Sequence, residues 1–242
     1  MFLELEYNNA FKKCYFDMLK YRLAFGSLEL EGYSENLANI RQSMQIYNQL
    51  QAINYVFEEY KERNFTHMEF TNTLCEISKR VSGDEITAFR TTEAIVAGSK
   101  VPRTKAPLIR NALWYLIDDY NYLLNNCKTD KDLFELEALF HIKLLHIHPF
   151  EDGNGRTARI LLAYNLCKHD LSPCIITKEI KKEYCNLIEK GDYKALAVMF
   201  EELSKKELDV MVSLYKNLDD KGLIKEPTEE ENQMLLKKQN KN

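Results

Sequence analysis

His148-Pro149-Phe150-Glu151-Asp152-Gly153-Asn154-Gly155-Arg156-Thr157-Ala158-Arg159 is the stretch on which the rest of the sequence turns. An apolar helix is expected before it, over about residues 131–146. A second is expected after it, through Ile160-Leu161-Leu162-Ala163-Tyr164-Asn165-Leu166-Cys167. The stretch therefore reads as a loop held between two core helices. Gly153 and Gly155 flank Asn154, so the backbone can take positive φ angles and curl around a ligand. Successive N–H groups in such a curl form a concave anion site. The following helix, starting near Arg156, adds its unpaired N–H groups and its dipole at the same place.

Arg156 and Arg159 are three residues apart, on neighbouring positions of one helix face. They can grip different phosphate groups with planar donor forks. Asp152 stands where a carboxylate could hold Mg²⁺ against those phosphates. His148 is a candidate general base, since an imidazole of pKa about 6.5 is largely neutral at pH 7. Phe150 is the apolar residue of a polar loop and reads as its anchor to the core. Together these groups suit nucleophilic displacement at phosphorus, with metal and arginines stabilising the developing charge. No Gly-x-x-x-x-Gly-Lys-Ser/Thr stretch occurs, so the site is not a P-loop.

The stretch resembles the signature of the Fic family, His-x-Phe-x-Asp/Glu-Gly-Asn-Gly-Arg-x-x-Arg, at every specified position. The resemblance implies a mainly α, Fic-type helical domain with a small β-hairpin flap beside the catalytic loop. It implies transfer of AMP from ATP to a hydroxyl side chain of a target protein, and to the enzyme itself, with release of pyrophosphate and a requirement for Mg²⁺. His148 would deprotonate the incoming hydroxyl, and Asp152 would bind Mg²⁺. Asn154 would meet the α-phosphate. Gly153, Gly155 and Arg156 would hold the phosphate chain, and Arg159 the γ-phosphate. The death-on-curing relatives, which act as kinases, depart from the Gly-Asn-Gly pattern. This sequence keeps it, which favours nucleotidyl transfer.

Upstream, Ser27-Leu28-Glu29-Leu30-Glu31-Gly32 places Ser27 and Glu31 four apart, on one face of any helix formed there. Alone, Glu31 would be a solvated surface acid. Beside the loop, the six residues resemble the family's inhibitory helix, Ser/Thr-x-x-x-Glu-Gly/Asn, expected here over about residues 24–32. That implies a Glu31–Arg159 pair in the place of the γ-phosphate. Residues 89–102 are β-branched and closed by Gly98-Ser99 and Pro102, which reads as a small hairpin or, failing that, a connector. By resemblance it is a flap whose edge receives the target as an added strand.

Eight glycines and five prolines leave few breaks, and long apolar periodicities predict helices through most of the chain. The expected helices cover about residues 7–25, 34–63, 66–81, 107–125, 131–146, 160–167, 177–191 and 192–218. Thr66-His67-Met68-Glu69 reads as a capping box, and Thr129 or Asp130 as the cap of the helix that delivers the loop. Tyr184 borders the adenine or packs in the core; both readings stand. His67, His141 and His146 read as surface or structural, and Trp114 as core or edge packing. Spacings of five and two among His141, His146 and His148 fit no common zinc pattern. A single domain is expected over residues 1–226, with its catalytic core at about 87–203, then a short helix and polar tail at 227–242.

Net charge is −4, which gives no electrostatic footprint for nucleic acid. No apolar run approaches the roughly 18 residues that would span a membrane. The six cysteines form no Cys-x-x-Cys pair and read as reduced core thiols. The acidic N-terminus, Met1-Phe2-Leu3-Glu4-Leu5-Glu6, lacks the bases of a signal peptide, so a cytoplasmic protein is expected. A homodimer is compatible with all of this. Three readings compete with AMP transfer from ATP. Glu31 could position a water, so that the same site removes AMP. The donor could be UTP or GTP. The chain could be a non-catalytic module that senses nucleotide and recruits a partner.

Overall fold

The computed structural model describes residues 9–32, 40–59, 66–84 and 88–223. The start of the first expected helix, both ends of the second, the first residue of the expected core and the tail at 227–242 lie outside the described residues. Among the described residues there are eight α-helices and no β-strand. They are α1 (Asn9–Leu30), α2 (Ile40–Asn54), α3 (His67–Ser82), α4 (Ile109–Leu124), α5 (Asp130–Ile147), α6 (Asn154–Lys168), α7 (Lys181–Lys190) and α8 (Tyr193–Asp220). A π-helical turn, Tyr55–Glu59, continues α2, and 3-10 turns lead into α4 and α7.

The caps follow from the sequence. Thr66 and Glu69 close a reciprocal capping box on α3, as Thr129 and Asp132 do on α5. Asp192 accepts from Ala195 N at 3.1 Å to start α8. Thr177 makes no such bond. A 3-10 turn over Lys178–Ile180 intervenes, so α7 begins later than expected.

The α6 helix is the axis of the molecule. Ala158 through Leu166 are all buried, against α5, α3 and α1. A helix apolar on every side can be satisfied only by neighbours on every side. One core cluster joins α1 through α6, with Phe11, Tyr15, Phe70, Ile117, Phe140 and Leu161 in it. A second joins α5 and α6 to α7 and α8 through Ile142, Leu162, Leu166, Tyr184 and Phe200. No helix among the described residues is long and apolar enough to cross a membrane.

Two expectations change. The segment at 24–32 is not a separate helix but the end of α1, which runs unbroken through Gly26. A Cβ at Gly26 would lie 2.9 Å from the Ile176 carbonyl oxygen, so this glycine permits the segment after α6 to pass close to α1 rather than marking a break. Residues 89–102, expected as a hairpin, contain one turn, Ser99 N to Val96 O at 3.0 Å, and no paired strands. The backbone groups of its arms are bonded elsewhere. Arg90 N donates to Pro149 O, Thr104 N to His146 O, and Lys100 N and Val101 N to the Glu189 carboxylate.

Candidate active site

The loop between α5 and α6 begins with His148, which ends α5 in the left-handed region at φ 52°, ψ 63°. A non-glycine residue there costs about 1–2 kcal/mol, so its surroundings must hold it. Arg90 does so. Buried at the base of the flap, it donates from Nε to His148 O at 2.6 Å and from Nη2 to Ile147 O at 3.2 Å. It also reaches Thr92 O at 2.7 Å and Thr104 O. Hydrogen bonds from a charged donor contribute about 1.5–3 kcal/mol each, more than enough to offset the strain. Phe150 is buried in the main core beside Phe89 and anchors the other end, as expected.

The imidazole of His148 is partly buried. Burial, then the positive charge of Arg103, holds its pKa below the ordinary value, with Arg90 adding to the effect. A bond to the Leu145 backbone and the charge of Asp152 oppose it. With its pKa lowered, the ring is neutral at pH 7 and can accept a proton.

Asp152 caps its own turn, with Gly153 N donating to Oδ1 at 2.6 Å. Its Oδ2 accepts from Arg156 Nη2 at 2.8 Å, yet its side chain is 82% exposed. Gly153 carries φ +78°, and α6 then starts with no acidic residue in its first turn and no side-chain cap. Its leading N–H groups are therefore open to an anion. Asn154 faces inward. It accepts from Phe150 N at 2.9 Å and donates to Phe150 O at 2.8 Å. It braces the loop in the position where the sequence suggested a phosphate contact.

Arg159 is buried one helical turn deeper. Its Nε donates to Ser27 Oγ at 2.8 Å, and its Nη2 to Ser27 O at 3.1 Å and Glu31 Oε1 at 2.9 Å. Gly155 makes room for this pair. A Cβ there would stand 2.9 Å from Arg159 Nη1 and 3.3 Å from Glu31 Oε1. Ser27, Glu31 and Arg159 thus meet at the end of α1; the Glu31–Arg159 pair is the one that the resemblance to the inhibitory helix implies. Near Arg159, the Tyr184 hydroxyl lies 2.7 Å from His141 Nε2. Tyr184 is a core residue, its pKa pushed up to about 12 by burial. His141 is buried beside it, its pKa held down at about 3 by burial and Arg159.

The structure brings His148, Asp152, Arg156, Gly155 and Arg159 together and leaves His67 and Trp114 outside. The last two stack on each other with ring centroids 3.6 Å apart. His146 is tied to Ile188 O at 2.9 Å, a structural role. Sequence reasoning missed Arg90, Arg103 and Gln45. A lone arginine in a β-branched segment, or a glutamine on a helix face, carries no local sign of its partners. No group of three metal-ligating side chains occurs among the described residues. One exposed carboxylate suits Mg²⁺ that arrives with phosphate oxygens and water as its other ligands, rather than a protein cage.

A sequence model described as the Fic/DOC family matches residues 64–166. The protein adenylyltransferase Fic of Drosophila grimshawi is 27% identical over 221 residues, which covers 83% of this chain and 44% of the relative. Its namesake in Drosophila virilis is 33% identical over 105 residues, 42% of this chain and 22% of the relative. The chain thus spans less than half the length of these relatives. Among solved structures, a Fic domain containing signaling protein from Bacteroides thetaiotaomicron superposes with a TM-score of 0.74 at 18% identity. The match covers 89% of this chain and 95% of that one. Fic-1 from C. elegans superposes at 0.61 with 21% identity, over 83% of this chain and 64% of that one. Likenesses at this identity establish the fold: mainly helical, of the Fic type. With the complete loop motif, these likenesses agree: residues 64–166 match the Fic/DOC family model, and the fold is that of Fic-domain proteins.

Proposed function

We propose that this protein is an autoinhibited adenylyltransferase, which moves AMP from ATP to a hydroxyl of a protein target and releases pyrophosphate. One observation carries the reading. A histidine whose pKa is held down precedes, by a short loop, an uncapped helix N-terminus with Asp152 and Arg156 at its mouth. The target hydroxyl gives its proton to the neutral ring of His148. Its oxygen bonds to the α-phosphorus as the bond to the bridging oxygen breaks, and the electron pair leaves with pyrophosphate. Mg²⁺, held by Asp152, would neutralise charge on the phosphates. Gly153, Gly155 and Arg156 cradle the phosphate chain through N–H and guanidinium donors, while Asn154 keeps that cradle in shape beside the α-phosphate.

Protein targets suit the flap. Residues 93–96 belong to no helix or strand, and Ile95 is 96% exposed. A target segment could add along this edge as a strand, and the protein's own hydroxyls could compete for the same place.

Inhibition comes from Glu31. It occupies the Arg159 donor that the γ-phosphate needs, with Ser27 filling two more. Inverting a two-state equilibrium from 99:1 takes about 5.5 kcal/mol. A half-exposed ion pair contributes less than that, so Glu31 misplaces ATP rather than excluding it. The test is labelled AMP transfer by wild type and Glu31→Gly. The variant is expected to transfer about tenfold more, which corresponds to roughly 1.4 kcal/mol. Equal transfer removes the inhibitory role.

A further inference from the structure

Arg156 is where the N-terminal half of the chain meets the phosphate cradle. Its guanidinium is 4% exposed and divides its donors between two edges. On one edge, Nη1 donates to Gln45 Oε1 at 2.5 Å and to Val81 O at 3.4 Å. On the other, Nη2 donates to Asp152 Oδ2 at 2.8 Å. Nε has no partner. Gln45 comes from α2, 111 residues away in sequence. One helical turn on, Gln49 Nε2 donates to Ser27 Oγ at 3.3 Å, the hydroxyl that also receives Arg159 Nε. A single face of α2 therefore reaches one phosphate arginine directly and the other through a serine.

The two edges of Arg156 differ in chemistry. Asp152 is charged and exposed, so it can turn to a cation that arrives with the nucleotide. That withdraws it from Nη2, which then faces phosphate. Gln45 is a neutral acceptor, and a bond to a charged oxygen is roughly twice as strong as one to a neutral oxygen. It therefore cannot displace a polyphosphate as Glu31 can. It also has no cation to draw it away. We infer that Gln45 is a positioning residue: with the Val81 carbonyl it fixes the rear edge of Arg156, so that the front edge passes from Asp152 to the phosphates of MgATP. The inference rests on the proposed nucleotide site and adds a residue of α2 to it.

Gln45→Met keeps the length of the side chain and removes its acceptor oxygen. In the Glu31→Gly background, calorimetric titration with MgATP is expected to show affinity weakened about tenfold, the effect of leaving a buried donor without its partner. Without Mg²⁺, Asp152 stays on Arg156, so the gap between parent and variant is expected to close for ATP alone. A merely structural role would weaken both titrations alike. In AMP transfer, KM for MgATP rises and kcat stays within about twofold, because His148 is untouched. Gln45→Ala must weaken MgATP in the same sense and serves if the methionine variant does not fold. Unchanged affinity in either variant overturns the inference. So does tighter binding, which would make Gln45 a competitor of the nucleotide. If the Glu31→Gly parent transfers no AMP at all, the proposed reaction fails, and the titration still decides the part of Gln45.

Discussion

At His148 the useful quantity is the pH at which its ring is neutral. Its pKa is depressed by burial first and by Arg103 second. Arg103 sits on the flap, its Nη2 donating to Ser99 Oγ at 2.9 Å. In the proposed reaction His148 must be deprotonated, so activity is expected to fall as pH drops through its pKa. Because that pKa is lowered, the acid limb of kcat/KM is expected below the ordinary histidine value of about 6.5. Arg103→Met removes a positive charge that disfavours the imidazolium, so the limb should move up in pH. Burial remains, so it should stop short of the unperturbed value. A pH profile of Glu31→Gly with and without Arg103→Met checks this, and a limb that stays put or moves down refutes it. At the same scale, the sequence showed His148, Asp152, Arg156 and Arg159 because their spacing is local. It could not show that Asn154 turns inward to Phe150, since a loop-bracing amide and a ligand-binding amide have the same letter. Nor could it show Arg90, whose partners lie up to 58 residues away.

Helices carry the next level. Their existence was legible from apolar periodicity, and the caps of α3 and α5 from four-residue patterns. The run of α1 through Gly26 was not, because the contact that requires a glycine is with Ile176. The hairpin failed for a related reason: β-branched residues favour extended backbone, but pairing depends on where the N–H groups find acceptors. Here Glu189 of α7 and the loop carbonyls take them.

Glu137 of α5 shows how helices are tied. It is fully buried, accepting from Tyr120 at 2.6 Å and from Asn165 at 2.9 Å, and so joins α4, α5 and α6. Burial raises its pKa to about 7. The folded state therefore holds a proton that the unfolded chain loses near pH 4.5. This contribution to stability is whole below about pH 4.5, declines as pH rises towards 7, and then levels off. Glu137→Gln cannot ionise, so its denaturation midpoint, measured over that range, should fall less with pH than that of wild type. Parallel curves would mean that Glu137 does not titrate there.

For the molecule as a whole, the sequence places Ser27 and Glu31 more than a hundred residues from Arg159, and the fold closes that distance. The α1 end and the α2 face lie against α6, so one packing arrangement sets both phosphate arginines. If the proposed inhibition holds, the contact made by Glu31 can be removed without touching His148.

The most direct test of that account is the intact mass of Glu31→Gly protein after incubation with ATP and Mg²⁺, beside Glu31→Gly/His148→Ala. A gain of one AMP unit in the first and none in the second is the expected result. No gain in either, or an equal gain in both, would contradict it.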